Sequence, residues 1–114
     1  METEIKISPK KMKAIVHDAV KSAEAINLHY VNDSQPGILR IRRGKSFSYQ
    51  YNDQIVKDKK DLERIKKLVI PPAWENVWIC KDENGHIQVT GFDIRNRKQY
   101  RYHTLWNELR NQTK

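Results

Sequence analysis

Apolar and polar positions along this chain follow two periods, and the switches between them mark its elements. Met12, Ile15, Val16, Ala19, Val20, Ala23 and Ile26 recur at helical spacing, which leaves Lys10, Lys11, Lys13 and Lys21 mostly to solvent. Ser8-Pro9 supplies a capping serine and a first-turn proline, so residues 1–27 are expected to carry an amphipathic helix packed on the domain. Turn chemistry fills Asn32 to Gly37, after which ILRIRR and SFSYQY alternate with period two around Gly44 and predict a hairpin. In the first run Leu39 and Ile41 share one face and Arg40 and Arg42 the other. In the second, Phe47, Tyr49 and Tyr51 oppose Ser46, Ser48 and Gln50.

Helical spacing returns after Asp58, a capping residue, with Leu62, Ile65, Leu68 and Val69 as the buried stripe. Glu63 pairs with Lys66 or Lys67 at three- and four-residue spacing, and Pro71-Pro72 stops the helix. Trp74 and Trp78 read as core. Asn84-Gly85, both tolerant of positive φ, joins VWICK to HIQVTGF in a second hairpin. A turn from Asp93 to Asn96 leads into RKQYRY, and Thr104 caps a short last helix bearing Leu105, Trp106 and Leu109. The elements sum to an α+β domain. Its antiparallel sheet of about five strands is built from hairpins and flanked by an N-terminal, a middle and a short C-terminal helix.

The 114 residues suit one domain with one modest core. A formal charge of +8 favours an anionic partner without choosing among nucleic acid, acidic protein and anionic membrane. No stretch approaches the ~20 apolar residues of a membrane span, and the N-terminus lacks the apolar core of a secretory signal. The single cysteine, Cys80, fits a reducing compartment and reads as a buried, unreactive thiol. His17, His29, His86 and His103 lack zinc-ligand spacing, and no glycine-rich phosphate loop occurs, so neither metal nor cofactor is expected. No nucleophile–base–orienter set is visible either, and Asp82 and Glu83 read as exposed turn residues.

The stretch from Gln88 to His103 carries the densest chemistry. In RKQYRY, Lys98, Tyr100 and Tyr102 fall on one strand face, and Arg97, Gln99 and Arg101 on the other. Cations suit phosphates, while tyrosine and glutamine suit base edges, sugars and backbone oxygens. Arg95, Arg101, Arg40 and Arg42 join the candidates on charge and alternation alone. Two readings stand level on the residues themselves: a strand facing nucleic acid, and a half-buried strand with tyrosines in the core.

A resemblance separates them. From Ile70 to His103 the chain resembles the N-terminal domain of type IB DNA topoisomerases, in particular the short bacterial enzymes related to the poxvirus one. The resemblance rests on IPPAW, VWIC, NGHIQ, the TGxD turn and RKQYRYH, with LHYVNDSQPGILRIRRGKSFSYQY and DLERIKKLVIPP upstream. Asn96 stands where glycine is common in that turn, and Asn tolerates a left-handed backbone. The resemblance implies residues 28–114 as the DNA-binding domain, and as partners double-stranded DNA and a C-terminal catalytic domain of the same protein. That helical domain, absent from this chain, would carry the nucleophilic tyrosine, the 3′-phosphotyrosyl chemistry and supercoil relaxation, without metal or nucleotide. The piece itself is then expected to be inactive and to have no catalytic residue. By motif position Gln99, Tyr100 and Tyr102 would be groove contacts, and Arg97 and Lys98 phosphate ligands. A monomer, cytoplasmic and nucleoid-associated, is the corresponding expectation. A free-standing nucleic-acid module and a protein-interaction domain are the alternatives.

Overall fold

A computed structural model describes residues 19–112. The expected serine-proline cap and the stripe positions Met12, Ile15 and Val16 lie outside the described residues.

Helix α1, Ala19–Ala25, ends where Asn27 takes a left-handed φ of 61°. The Leu28 amide donates to the Ala23 carbonyl at 2.7 Å and the Asn27 amide to Glu24 at 3.1 Å. This double closure lets Leu28 fold back onto the helix it leaves. Ala23, Ile26 and Leu28 pack with Trp106 and Leu109 of the C-terminal helix α3, Thr104–Gln112, as a small core of their own. Val20, expected in the stripe, is instead about half exposed.

Six strands form one open antiparallel sheet in the order β3-β2-β1-β4-β5-β6. They are β1 Ile38–Arg43, β2 Ser46–Tyr51, β3 Gln54–Ile55, β4 Glu75–Ile79, β5 Ile87–Phe92 and β6 Lys98–Tyr102. The strand beyond the expected five is the two-residue β3, reached through Asn52 and Asp53, both at positive φ. That pair is the two-residue hairpin turn. Asn84-Gly85 is not, for neither residue is left-handed. Gly85 is required by space: a Cβ there would lie 2.5 Å from the Cys80 sulfur. Cys80 is buried as expected, and burial raises its thiol pKa.

Helix α2, Lys59–Lys67, closes one face of the sheet. Ile65 packs there with Ile38, Val77, Ile79 and Val89, and Trp74, Tyr49 and Tyr51 border them. Asp58 caps the helix as expected, accepting from the Lys60 and Asp61 amides. Its ion pairs run from Asp61 to Arg64 and Lys81; among the described residues Glu63 takes no such pair. The helix also ends two residues early. Val69, expected in the buried stripe, sits at φ 48° and is 73% exposed, because the chain must leave the helix to enter the proline corner.

The opposite face carries a row that crosses four strands in register: Leu39 beside Trp78, Trp78 beside Thr90, Thr90 beside Tyr100. The 33–37 loop straps its middle. Trp78 donates its indole N–H to the Gln35 carbonyl at 3.0 Å, and Gly37 lies so close that a Cβ would clash with the indole at 2.1 Å. Leu39 stays 51% exposed while the neighbouring arginine side chains turn to the packed face, the reverse of simple apolar-in alternation.

Candidate nucleic-acid interface

The TGxD segment places the β5–β6 hairpin, with a separate task for each residue. Thr90 donates its hydroxyl to the Asp33 carboxylate at 3.0 Å, tying the strap loop to the sheet. Gly91 leaves room for Trp74, whose ring would lie 2.9 Å from an added Cβ. Asp93 builds the turn. Its carboxylate accepts from the Arg95 and Arg97 amides at 2.9 Å each, from Arg97 Nε at 2.9 Å and from Gln99 Nε2 at 3.0 Å. Asn96 closes the turn at φ 59°, as its residue type allows. These donors, the Arg97 amide first, hold the Asp93 carboxyl below the usual range. Asp93 was not singled out from sequence, although four donors converge on it; its place in the TGxD motif was the available signal.

β6 has a partner on one side only, so both its faces are reachable from the free edge. Tyr100 and Tyr102 stack on one face with ring centroids 6.0 Å apart, and the Lys98 ammonium lies 5.4 Å from the Tyr100 ring. Tyr100 is 44% exposed and therefore rules out the reading with both tyrosines in the core. Tyr102 is half-buried, packed against the small core shared by α1 and α3. On the other face Arg101 extends over Trp74 at 5.7 Å. Arg95 and Arg97 are exposed beside the turn tip, where Ile94 is 89% exposed.

Two carboxylates already hold three of the candidates. Asp93 takes Arg97 and Gln99, while Asp33 pairs with Lys98 at 2.6 Å. The Lys98–Asp33 bond raises the lysine pKa and lowers that of the aspartate.

Arg40 and Arg42 are not brought to this edge. Arg40 donates to the carbonyls of Pro71 at 3.0 Å, Trp74 at 2.7 Å and Ile70 at 3.5 Å, and its guanidinium covers the Phe47 ring at 4.1 Å. Arg42 donates to Pro72 at 3.0 Å. The proline corner turns its carbonyls toward β1, and these arginines satisfy them. Partial burial lowers the Arg40 pKa.

His103, not Thr104, caps α3, its Nδ1 accepting from the Leu105 amide at 3.1 Å. Among the described residues no group of His, Cys, Asp and Glu can hold a metal ion, and no helix is long and apolar enough to cross a membrane.

Residues 46–93 match the family described as bacterial DNA topoisomerase IB, N-terminal domain. This segment belongs to that family. It runs from β2 to Asp93, so the β6 edge follows it directly in the chain. The chain is also similar to DNA topoisomerase 1B of Acanthamoeba polyphaga mimivirus, at 49% identity over 72 residues. That match takes in 60% of this chain and 21% of the relative, so the chain spans about a fifth of that topoisomerase. The matched segment is the part of this α+β fold from β2 through β5, and its motif residues explain its hairpin architecture.

Proposed function

We propose that this chain is the DNA-contacting half of the clamp of a type IB topoisomerase. Its β6 edge lies along a duplex while a catalytic domain of the same protein closes from the other side. The observation that carries this reading is the free edge strand, which offers Lys98, Tyr100 and Tyr102 on one face and Arg101 on the other, in a chain with a topoisomerase IB N-terminal segment. Cations neutralise phosphates and set affinity; tyrosine and glutamine orient against sugars, phosphates and base edges. Gln99, Tyr100 and Tyr102 are the groove-side contacts, with Arg97, Lys98, Arg95 and Arg101 toward phosphates. Arg40 and Arg42 are left out, because proline-corner carbonyls hold them. Strand cleavage through a 3′-phosphotyrosyl intermediate, and with it supercoil relaxation, falls to the catalytic domain. The enzyme is a monomer working on the nucleoid in the cytoplasm.

The test is duplex binding by this chain as a function of salt. With about four phosphates neutralised, log K falls against log salt with a slope near −3.6. Replacing Tyr100 and Tyr102 together by Phe removes hydroxyl hydrogen bonds worth about 0.5–1.5 kcal/mol each and lowers affinity several-fold or more, with the melting temperature unchanged. Salt-independent or undetectable binding returns the basic edge to a protein partner.

A further inference from the structure

The tyrosine row of β6 does not end at Tyr102. The His86 ring lies 6.4 Å from that of Tyr102, and Tyr30 stacks on His86 at 4.3 Å with planes 14° apart. Trp106 closes the imidazole from another side at 4.8 Å, edge to face. Tyr100, Tyr102, His86 and Tyr30 therefore form one continuous run of rings. Its two ends are the exposed ones: Tyr100 at one, and Tyr30, 47% exposed, at the other. His86 between them is buried.

Tyr30 is held firmly for a residue outside any regular element. The His29 amide donates to the Asn84 carbonyl at 2.8 Å, the His86 amide to the His29 carbonyl at 2.9 Å, and the Val31 amide to His86 Nδ1 at 3.0 Å. This short parallel bridge clamps the backbone on both sides of Tyr30, and the His29 side chain also bonds Asp82. A half-exposed aromatic ring on a fixed backbone loses little freedom when it meets a ligand. Tyrosine hydroxyls are regular donors to phosphate and sugar oxygens.

We propose that Tyr30 is a further DNA contact, its hydroxyl donating to an acceptor on the duplex next to the stretch met by Tyr100 and Tyr102, with His86 as its positioning residue. This rests on the reading of β6 as the DNA-facing edge. It also makes the interface longer than the RKQYRY strand, joining to it a segment more than fifty residues away in sequence.

The experiment compares Tyr30→Phe with the double change Tyr100→Phe/Tyr102→Phe, each in the 114-residue chain. The readouts are duplex affinity on two unrelated sequences and the melting temperature. Tyr30→Phe keeps the ring on His86 and should weaken binding about three- to tenfold with the melting temperature unchanged. Equal weakening on both sequences marks a phosphate or sugar acceptor, and unequal weakening a base edge; either supports the contact. Unaltered affinity for Tyr30→Phe beside a loss in the double variant overturns the inference and leaves the β6 reading standing. Unaltered affinity in both overturns the two together. A fall in melting temperature for Tyr30→Phe assigns its hydroxyl to the fold and overturns the contact.

Discussion

Strands β1 and β6 carry nearly the same kind of sequence, ILRIRR and KQYRY, yet their cations have opposite fates. β1 lies inside the sheet, and its Arg40 and Arg42 face a corner where two consecutive prolines leave carbonyls without helical partners. Guanidinium groups with several donors in a fixed fork satisfy them, so Arg40 and Arg42 become part of the frame. β6 lies at the edge, with Tyr100 open to solvent and Arg101 reaching over a tryptophan. A cation is available to a phosphate only where the surrounding backbone has not already claimed it. Alternation in a strand says nothing of that.

The comparison breaks most visibly at Arg40. Arg40→Ala strands the carbonyls of Pro71 and Trp74, and should cost about 2–3 kcal/mol in urea unfolding, with duplex affinity unchanged for the folded fraction. Arg40→Lys should recover only part, since one ammonium cannot reproduce the fork. If either variant keeps full stability and loses DNA affinity, β1 belongs with β6 after all.

A smaller effect of the opposite sign is expected at Asp33. Lys98 cannot serve Asp33 and a phosphate with the same strength. Asp33→Asn keeps an acceptor for Thr90 and removes the competing charge. Duplex affinity should rise about two- to fivefold, the range of a partly exposed ion pair. Titrations at several salt concentrations would show the gain shrinking as salt rises. A loss of affinity would mean that Asp33 aims Lys98 rather than restrains it.

The smallest effect is a pH dependence on the side of the molecule that supports β6. Burial lowers the pKa of His86 and of His103, so each binds a proton less readily folded than unfolded. Their contribution is complete above the unfolded value of 6.5 and is lost as pH falls from there through the lower folded values. Thermal melts should therefore be flat above that pH and decline below it, and the His86 ring should titrate by NMR with a midpoint under 6.5. Protonation also removes the Nδ1 acceptor of the Val31 amide. Exchange of that amide should accelerate in acid while amides of β1 stay protected. Uniform exchange across both regions would deny that the two are supported separately.

Much of the fold was legible in the residues. The α2 cap at Asp58, the hairpin turn at Gly44 and the left-handed Asn96 each follow from the chemistry of one residue and its neighbours. What misled were positions where a long-range need overruled a local preference. Asn84-Gly85 has the composition of a tight turn, but Gly85 is there for the Cys80 sulfur and for the isolated bridge to His29. Val69 continues the apolar period of α2 and is nevertheless expelled by the proline corner. The two-residue β3 was too short for any period to reveal, and its turn at Asn52-Asp53 shows itself only in the backbone, with both residues at positive φ.

The candidate site divides the same way. The sequence by itself determined the alternation of β6, and with it the sharing of one face by Lys98, Tyr100 and Tyr102, because a pleated strand sends successive side chains to opposite sides. Its motif order also carried the resemblance that the match over residues 46–93 bears out. Only the tertiary structure decided that β6 is an edge, that Asp33 and Asp93 hold Lys98 and Gln99 of β6 and the neighbouring Arg97, and that Tyr30 joins its row of rings. It decided too that Arg40 is taken up by the proline-corner carbonyls and that Arg42, though exposed, donates to Pro72. Strand order and unsatisfied backbone groups depend on which distant segments meet, and a one-dimensional pattern holds no record of those meetings.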